Sequence, residues 1–491
     1  MSEKYSIALL PLDNRPVSYL LPKQIADFSG INLILPERKY LGDLKQESNL
    51  TYLEKWLNDV VGTGRDQSLQ LIISLDNFIY GGLVQSRKHN LSLKELKSRV
   101  DCLKSCRRGL PWQASTYGFS SIMRIPNYNN SEEEKDYWKD YGEKIFRWSE
   151  LTHKVGDKNV GAASELPLLL DDWYKSSKAI PPQIIADFKS HRDKNLTVNL
   201  LWLESLHENC FEYLIFSCDD SGKYGMNVVE AEYIKKQIKN HNFANKSKVI
   251  SGTDEIPLVL LTKIILKDSE YKPSVSLYFN TIEGKNQIAK YESNSIYDSI
   301  VDQIATLGIE IKDFKDSDIV LFVHCADSVQ GDHIFKMEPN DTKDNVNELI
   351  KLLEKSDKPV ILLDLAYANG ADPNLIEALL NSKIKWGNLY GYAGWNTCAN
   401  STGSALAIGI NRWIAEKKKV FNVVEFNRCL LTRFLDDYAY QGEIRCPEIT
   451  EEEVNERMKP FIKRFSDLLG LSNLKVDFKL PWQRSFEVEI D

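Results

Sequence analysis

Ten short apolar runs recur along the chain, and most of them end in polar residues that lead into a stretch with helical spacing. Continuous apolar runs of this length are typical of strands that are buried on both faces of a parallel sheet. The stretches between them, such as 227–240, 297–308 and 344–356, carry apolar residues three and four positions apart, which predicts amphipathic helices. The runs lie at 5–14, 31–38, 69–77, 117–125, 212–220, 248–255, 274–280, 318–325, 359–367 and 384–392. This alternation of strand and helix predicts an α/β fold.

The distribution of the runs predicts two α/β domains and a helical end. Six runs precede the charged, turn-rich segment 266–274, which is typical of a linker, and four follow it. We therefore expect a large parallel α/β domain over 1–270, either barrel-like or open, and a smaller open-sheet α/β domain over 271–415. Segment 127–210 is rich in Trp, Tyr and charge, which predicts a helical insertion that could form a lid or a substrate wall. Residues 416–491 have helical periodicity and are expected to cap the rest.

Composition narrows the class of protein. The 491 residues carry a net charge of −8, with 70 acidic against 62 basic residues, which argues against a nucleic-acid partner. No apolar run reaches the length of a membrane span, and the start MSEKYSIALLPLDNRP is expected to form a strand rather than a signal peptide. The eight cysteines are scattered, and only one pair lies close in sequence. We expect a cytoplasmic protein with reduced, mostly buried thiols.

Charged and polar residues follow five of the six runs of the first predicted domain. Because ligands bind at the carboxyl ends of parallel strands, we expect the side chains that follow these runs to face one cleft. Asp219, Asp220, Asp254 and Glu255 are the candidates for catalysis. The candidates for substrate binding in this domain are Asp13, Asn14, Arg15, Asp76, Tyr80, Arg87, Arg124 and Tyr224.

Each of these candidates also has a structural interpretation. Asp13 could cap a turn, Arg15 could pair with a surface carboxylate, and Asp254 or Glu255 could cap the helix that follows. The adjacent aspartates 219 and 220 are harder to explain in this way. Two neighbouring carboxylates after a buried strand repel each other, so they need an arginine, a metal ion or a shared proton.

The second predicted domain contains two further clusters. Tyr392, Trp395, Asn396 and Thr397 precede a predicted helix and would suit a polyhydroxylated or anionic ligand, although a helix cap with a core tryptophan is the alternative. Histidines and aspartates over 324–333 could bind a divalent metal, but their spacing matches no established site. The sequence contains neither the P-loop nor the dinucleotide fingerprint, and it has no G-x-S-x-G elbow.

Four phrases together resemble a bacterial family catalogued as a domain of unknown function, number 4127. They are PLDNRPVSY (11–19), SLDNFIYGGLVQSR (74–87), SGTDE (251–255) and LYGYAGWNTCANSTGSALA (389–407). The resemblance covers nearly the whole chain and implies a free-standing protein marked by these strand ends, without implying a reaction. The segment FSCDD (216–220) is also similar to retaining hexosaminidases, some of which use two adjacent aspartates after a strand, one as acid/base and one to orient the substrate.

Three functions fit these features. The preferred one is a glycosidase-like, carbohydrate-active hydrolase without a cofactor, in which paired carboxylates divide the acid and base roles on a small-molecule sugar substrate. The second is a metal-dependent hydrolase or transferase that acts on a phosphorylated or carboxylated metabolite. There, Mg²⁺ or Mn²⁺ would be held by the strand-end carboxylates, and the anion by Arg15, Arg87 and Arg124. The third is a non-catalytic protein that binds a small molecule.

Overall fold

Each of the ten apolar runs overlaps a strand in the computed structural model, which describes residues 6–63, 69–108, 114–157, 166–339, 343–471 and 474–491. The predicted α/β class is confirmed. The strands are β1 (Ser6–Leu10), β2 (Asn32–Ile34), β3 (Leu69–Ser74), β4 (Ser115–Ile122), β5 (Tyr213–Cys218), β6 (Ser247–Ser251), β7 (Ser274–Phe279), β8 (Glu310–Ile311), β9 (Ile319–Cys325), β10 (Gly331–Asp332), β11 (Val360–Leu365), β12 (Tyr367–Ala368), β13 (Leu389–Ala393), β14 (Phe478–Lys479) and β15 (Glu489–Ile490).

Helices fill most of the chain between these strands. They are α1 (Pro16–Ser29), α2 (Leu50–Thr63), α3 (Leu75–Tyr80), α4 (Leu83–Lys88), α5 (Leu93–Arg108), α6 (Trp138–Gly156), α7 (Leu166–Lys178), α8 (Pro182–Glu204), α9 (Met226–Asn240), α10 (Ile256–Lys267), α11 (Ile282–Asn286), α12 (Ile296–Leu307), α13 (Lys343–Lys355), α14 (Pro373–Leu380), α15 (Cys398–Lys417), α16 (Val423–Arg433) and α17 (Glu451–Leu468). A π-helix spans Phe434–Ile444, and 3₁₀ turns span Arg38–Tyr40, Trp386–Asn388 and Pro481–Gln483. None of the described helices is both long enough and apolar enough to cross a membrane.

The chain divides into two units and passes between them several times. The first unit comprises Met1–Asn14, Ile34–Thr253 and Tyr291–Ser293, and the second comprises Arg15–Leu33, Asp254–Lys290 and Asn294–Asp491. Helices α1 and α10 therefore belong to the second unit, although each follows a strand of the first sheet. The domain boundaries expected near residues 270 and 415 stay a prediction.

The first sheet has the strand order β2-β1-β3-β4-β5-β6, and the pairs from β1 to β6 are parallel. Every residue of β1 and β3 is buried, as expected for strands with helices on both faces. The strand order reverses between β1 and β3, which is the arrangement of a doubly wound fold. Among the described residues this sheet has two edges, at β2 and β6, so it is open and not closed into a barrel.

The predicted helical insertion forms α6, α7 and α8 between β4 and β5, while residues 158–165 of it lie outside the described residues. Its inner faces build a local core in which Trp138, Trp148 and Phe188 pack with Met123 at the end of β4. Burial of these large rings fixes the insertion against the carboxyl end of the sheet. The loop 126–137, which leads into α6, is thereby held in place.

The second sheet has the order β13-β11-β9-β7-β8, and all its pairs are parallel. Counted within the second unit, this is the doubly wound order 2-1-3-4-5, with the reversal between β7 and β9. Both units therefore have the same kind of strand order. In both sheets the carboxyl ends of the parallel strands lie along one edge, and so do the loops that contain the candidate residues.

Helix α15 is almost completely buried and packs on β11 and β13. Two glycines allow this close approach. A Cβ at Gly409 would overlap the side chain of Ile361, and a Cβ at Gly391 would crowd the carbonyl oxygen of Ala405. The sequence pattern predicted a helix here, and because this helix lies in the interior, its residues from Cys398 to Ala415 are all buried, including polar ones.

The C-terminal region is helical, as predicted, with α16, the π-helix and α17 in succession. It ends in a small antiparallel pair of two-residue strands, β14 and β15. Strands of two residues carry no readable alternation, so the sequence did not predict them.

Replacement of Gly409 by Ala tests the packing of α15. The added methyl group overlaps Ile361, and overpacking of this kind costs about 1–3 kcal/mol, which exceeds the gain of about 1 kcal/mol in helix propensity. We expect a lower free energy of unfolding in urea. Gly387→Ala is the control, because no described atom lies within 4 Å of its added Cβ. Equal stability of both variants would contradict the packing described here.

Candidate functional site

The adjacent aspartates that follow β5 each pair with a different arginine. Asp219 Oδ2 lies 2.5 Å from Arg87 Nη2, and Asp220 Oδ2 lies 2.9 Å from Arg124 Nη1. The side chain of Asp219 is 10% exposed, whereas that of Asp220 is 37% exposed. Arginine is thus the partner that neighbouring carboxylates require, and the two carboxyl groups differ in their access to solvent.

Two glutamates complete this network, and both come from the loop that leads into α6. Glu133 Oε2 accepts hydrogen bonds from Arg87 Nη1 at 2.6 Å and from Arg124 Nη2 at 2.9 Å, so one oxygen joins the two guanidinium groups. Glu134 Oε1 accepts from Arg124 Nε at 2.9 Å. Burial raises the pKa of Glu134. The sequence predicts for this loop only a place in a lid or substrate wall, although its three consecutive glutamates at 132–134, so soon after Arg124, are a signal for a charged cluster.

The balance of charge in this cluster is negative. It contains four carboxyl groups, those of Asp219, Asp220, Glu133 and Glu134, against the guanidinium groups of Arg87 and Arg124. Ionisation of all six groups would give this set a net charge of −2 in a partly desolvated space. Such a cluster either retains a proton or attracts positive charge.

The excess of carboxyl groups affects the pKa of Asp220. Removal of water, together with the negative charge of Asp219, raises the pKa of Asp220 to about 6. Its backbone has φ of 21°, which places a non-glycine residue at the edge of the left-handed region, and backbone strain of this kind is concentrated at functional sites. The carbonyl oxygen of Asp220 accepts a hydrogen bond from Asn227 Nδ2 at 3.4 Å, so α9 supports the strained turn.

Arg87 reaches the cluster because the chain breaks between two short helices. Gly81 and Gly82 have φ of 97° and 143°, conformations that glycine adopts without a steric penalty, and α4 begins directly after them. A Cβ at Gly81 would overlap Glu47. The side chain of Ser74 caps α3 by accepting from the amide of Asn77 at 3.2 Å.

Buried polar side chains of α8 form hydrogen bonds to α4 and hold it in place. The carbonyl oxygen of Ser86 accepts hydrogen bonds from Asn195 Nδ2 at 2.8 Å and His191 Nε2 at 3.0 Å. Asn195 Oδ1 in turn accepts from His89 Nε2 at 2.8 Å. Burial lowers the pKa of His89 to about 4 and that of His191 to about 3, so both rings are neutral at neutral pH. This support was not visible in the sequence, because it joins residues about one hundred positions apart.

Asp76 lies at the carboxyl end of β3 and is completely enclosed. Its Oδ2 accepts from the amide of Ser121 at 2.7 Å, and its Oδ1 accepts from the hydroxyl of Ser120 at 3.3 Å. Burial raises the pKa of Asp76 to about 7, and the charge of Asp219 contributes in the same direction. The carboxyl groups at these two strand ends are thus electrostatically coupled, while convergence of the whole predicted set in one cleft stays a prediction.

The remaining substrate-binding candidates of the first unit contact neighbouring loops and side chains. Asp13 is buried, and the amide of Asn14 donates to the carbonyl oxygen of Gly42 at 3.1 Å. Tyr80 is buried and its ring stacks on that of His89 at 4.8 Å. Tyr224 lies on the loop after Asp220, where Lys154 Nζ approaches its ring centroid to 4.7 Å.

The second unit contains three of the predicted strand-end residues. Arg15 Nη2 pairs with Asp254 Oδ1 at 2.7 Å, and Arg15 Nη1 pairs with Glu487 Oε1 at 3.0 Å. Glu255 is buried and accepts from Gln303 Nε2 at 3.0 Å. Glu487 was not a sequence candidate, because it lies near the end of the chain and follows no recognisable strand.

The predicted aromatic and amide residues of the second unit are all buried. Tyr392 and Trp395 are 0% and 3% exposed, and the ring of Trp395 lies 5.9 Å from that of Phe486. Asn396 Oδ1 accepts from the amide of Thr397 at 2.5 Å and from the side chain of Asn400. These contacts fix the start of α15, which agrees with the structural interpretation of this segment as well as with a ligand site.

The histidine cluster of the second unit is a buried hydrogen-bond chain. His324 Nε2 lies 2.9 Å from Asp372 Oδ2, and its Nδ1 faces Asn280 Nδ2 at 3.2 Å. Because Asn280 Oδ1 accepts from the amide of Cys325, its Nδ2 must donate, so Nδ1 of His324 is the acceptor. Within the described ranges, no three His, Cys, Asp or Glu side chains are arranged so that they could hold a metal ion.

Comparisons with known proteins identify a family for the chain, and they give no function. A family model described as "Protein of unknown function (DUF4127)" matches residues 7–452. No protein of curated function matches the chain. A solved structure, described as the crystal structure of Fpglu1 from fervidobacterium pennivoraus, aligns over 85% of this chain and 96% of its own. Its sequence identity is 10% and its TM-score is 0.19, so this likeness carries no argument.

Replacement of Asp76 by Asn tests its raised pKa. The folded protein retains a proton on Asp76 that the unfolded chain loses above its ordinary pKa of 3.8, so the free energy of unfolding falls as the pH rises towards 7. The fall should be about 2–3 kcal/mol between pH 5 and pH 8. Asn can accept from Ser121 and donate to Ser120, so the variant should fold and lose this slope in urea unfolding. An unchanged slope would show that Asp76 is ionised throughout.

Proposed function

The chain belongs to DUF4127, a family described as being of unknown function, and we propose that its first unit carries the active site of a carbohydrate hydrolase that uses acid–base catalysis. The residues proposed to do the chemistry are Asp219 and Asp220, held by Arg87 and Arg124. The proposed substrate is a sugar, and the reaction proposed is hydrolysis of a glycosidic bond.

The observation that carries the proposal is the different environment of the two adjacent carboxyl groups. Asp219 Oδ2 lies 2.5 Å from Nη2 of the buried Arg87, and its side chain is the less exposed of the two. Asp220 is more exposed, and its pKa is raised to about 6, so a fraction of it retains a proton near neutral pH. Glycosidases depend on such a division, in which one carboxyl group protonates the leaving oxygen while another stays ionised.

The excess of negative charge supports the same reaction. Glycosidic cleavage passes through a transition state with oxocarbenium character, in which positive charge develops on the sugar ring. Preorganised negative charge stabilises such a transition state without further rearrangement. In this role Asp220 is the general acid, Asp219 is the second carboxyl group of the reaction, and Glu133 and Glu134 hold the guanidinium groups in position.

The contacts of the arginines favour a sugar over a phosphorylated metabolite at this site. Arg87 contacts Asp219 and Glu133, whereas Arg124 contacts Asp220, Glu133 and Glu134. A phosphate would have to displace these carboxylates, with the loss of several charge-assisted hydrogen bonds. A neutral sugar requires no such displacement.

The replacement of Asp220 by Asn is the test of this function. A general acid contributes about 10²–10⁴-fold in rate, so kcat/KM should fall by that order on the glycoside that the protein hydrolyses best in a panel of glycosides. The loss should be larger for an alkyl glycoside than for a 4-nitrophenyl glycoside, because the nitrophenolate leaves without protonation. In the unaltered protein, kcat/KM should fall as the pH rises above about 6, since the acid must be protonated.

The control is Asp171→Asn, which removes an exposed carboxylate that pairs with Lys175 on α7. It should leave kcat/KM unchanged. Failure of the folded protein to hydrolyse any glycoside of the panel would reject the proposed reaction. Equal losses on both leaving groups would instead assign Asp220 a structural role.

A further inference from the structure

Tyr128 lies in the loop between β4 and α6, beside the carboxyl group that is proposed to act as the acid. Its hydroxyl oxygen accepts a hydrogen bond from Arg124 Nη2 at 3.2 Å, and Nη1 of the same guanidinium group donates to Asp220 Oδ2 at 2.9 Å. Because Nη1 and Nη2 are bonded to one carbon atom, Arg124 holds the phenol and the carboxyl group side by side. Both reach solvent, since Tyr128 is 39% exposed and the side chain of Asp220 is 37% exposed.

The aromatic ring of Tyr128 has no stacking partner in the part of the chain that the structure describes. No other described ring packs on it, and no described lysine or arginine lies over its centre. Other tyrosines of this region differ. Tyr137 donates to Asp187 Oδ2 at 3.0 Å, and Lys144 Nζ lies 4.9 Å from the centre of the Tyr141 ring. A partly exposed aromatic ring beside a carboxyl group is a surface on which a ligand can pack.

Helix α6 holds the backbone of Tyr128 in place. A Cβ at Gly142 of α6 would lie 2.3 Å from the carbonyl oxygen of Tyr128, so the glycine permits the helix to pack directly on this loop. Asn129 Oδ1 accepts from the amide of Glu143 at 3.0 Å, which joins the next residue of the loop to the same helix. The position of the ring is thus set before a ligand binds, and little ordering is required on binding.

The contacts of Arg124 determine which kind of ligand suits this surface. Its guanidinium group pairs with three carboxyl groups, those of Asp220, Glu133 and Glu134, so an anionic ligand would have to compete with them. A neutral sugar ring meets no such competition. Its apolar C–H face packs on an aromatic ring, while the hydroxyl groups at its rim bond to polar neighbours.

The exposure of the two aspartates indicates which sugar of the substrate packs on Tyr128. A general acid protonates the oxygen atom that leaves, whereas the second carboxyl group acts on the sugar that keeps the anomeric carbon. Asp219 is the inner of the two groups, with its side chain 10% exposed. Tyr128 shares the outer, exposed side with Asp220, which is the side from which the leaving group departs into solvent.

We propose that the ring of Tyr128 forms the subsite for the leaving sugar, so that the substrate is a disaccharide or a longer oligosaccharide in place of a glycoside with a small leaving group. This proposal rests on the hydrolytic function proposed above, because it takes Asp220 as the acid. Tyr128 acts in binding the substrate and takes no part in proton transfer.

Tyr128→Ala separates this subsite from the reaction itself. Cellobiose, maltose, lactose and N,N′-diacetylchitobiose are each compared with the methyl glycoside of the non-reducing sugar in the same anomeric form, because a methyl group cannot stack on the ring. For the disaccharide that the protein hydrolyses best, kcat/KM should fall about 10-fold, the effect of losing one aromatic contact. For the matching methyl glycoside it should change by less than about 2-fold. Tyr128→Phe keeps the ring and should retain the preference for the disaccharide.

Tyr174→Ala is the matched control, because Tyr174 is an exposed tyrosine of α7 in the same unit. It should leave both values of kcat/KM unchanged. Equal losses on the two substrates after Tyr128→Ala, or no loss on either, would overturn the subsite and leave the proposed hydrolysis standing.

Calorimetric titration with the same four disaccharides tests the subsite if none of them is hydrolysed, a result that would count against the hydrolytic function. Saturable binding that Tyr128→Ala weakens about 10-fold, and that Tyr174→Ala leaves unchanged, would support a sugar on the Tyr128 ring. Absence of binding up to about 10 mM, or equal affinity in all variants, would overturn it.

Discussion

Two buried guanidinium groups hold four carboxyl groups together at the carboxyl end of the first sheet, and the geometry of the first unit follows from this arrangement. Arg87 reaches the cluster from α4, which requires the glycine break before that helix and the support of α8 behind it. Arg124 reaches it from the end of β4, and the insertion returns Glu133 and Glu134 to both arginines. Removal of either arginine would leave buried carboxylates without a partner, which is among the most destabilising changes that a protein interior can undergo.

The same arrangement sets the chemistry. Since carboxyl groups outnumber guanidinium groups, at least one proton is retained more readily than in water, and the most exposed carboxyl group, that of Asp220, has a pKa of about 6. An acid that titrates near neutral pH can both give and take a proton during turnover. The charge of Asp219 helps to raise the pKa of Asp76, which is fully enclosed and therefore has no access to a substrate.

The second unit has the same kind of strand order as the first, but the polar groups near its strand ends differ. Polar groups near the carboxyl ends of its strands are bonded to neighbouring side chains and backbone groups, as in the pairing of His324 with Asp372 and the hydrogen bond from the amide of Gly394 to Asp437. Arg445 differs in that its guanidinium carbon lies 5.1 Å from the centre of the Phe486 ring of the C-terminal segment. A common sheet order therefore determines where polar loops collect, while the residues of those loops determine which of their charged groups pair with one another.

The sequence by itself determined the α/β class, the ten main strands, the helical insertion and the candidate strand ends, because burial on both faces of a parallel sheet demands continuous apolar runs that are visible locally. It also singled out Asp219 and Asp220, since adjacent carboxylates need a partner wherever they lie. Only the tertiary structure decided which partners these are, that Glu133 and Glu134 join them, and that Arg15 and Asp254 pair in the second unit. The open sheet and the pairing of α4 with α8 were likewise invisible. Charge pairing acts through space at a few ångströms, and the residues that it joins are tens to hundreds of positions apart, so no local pattern records it.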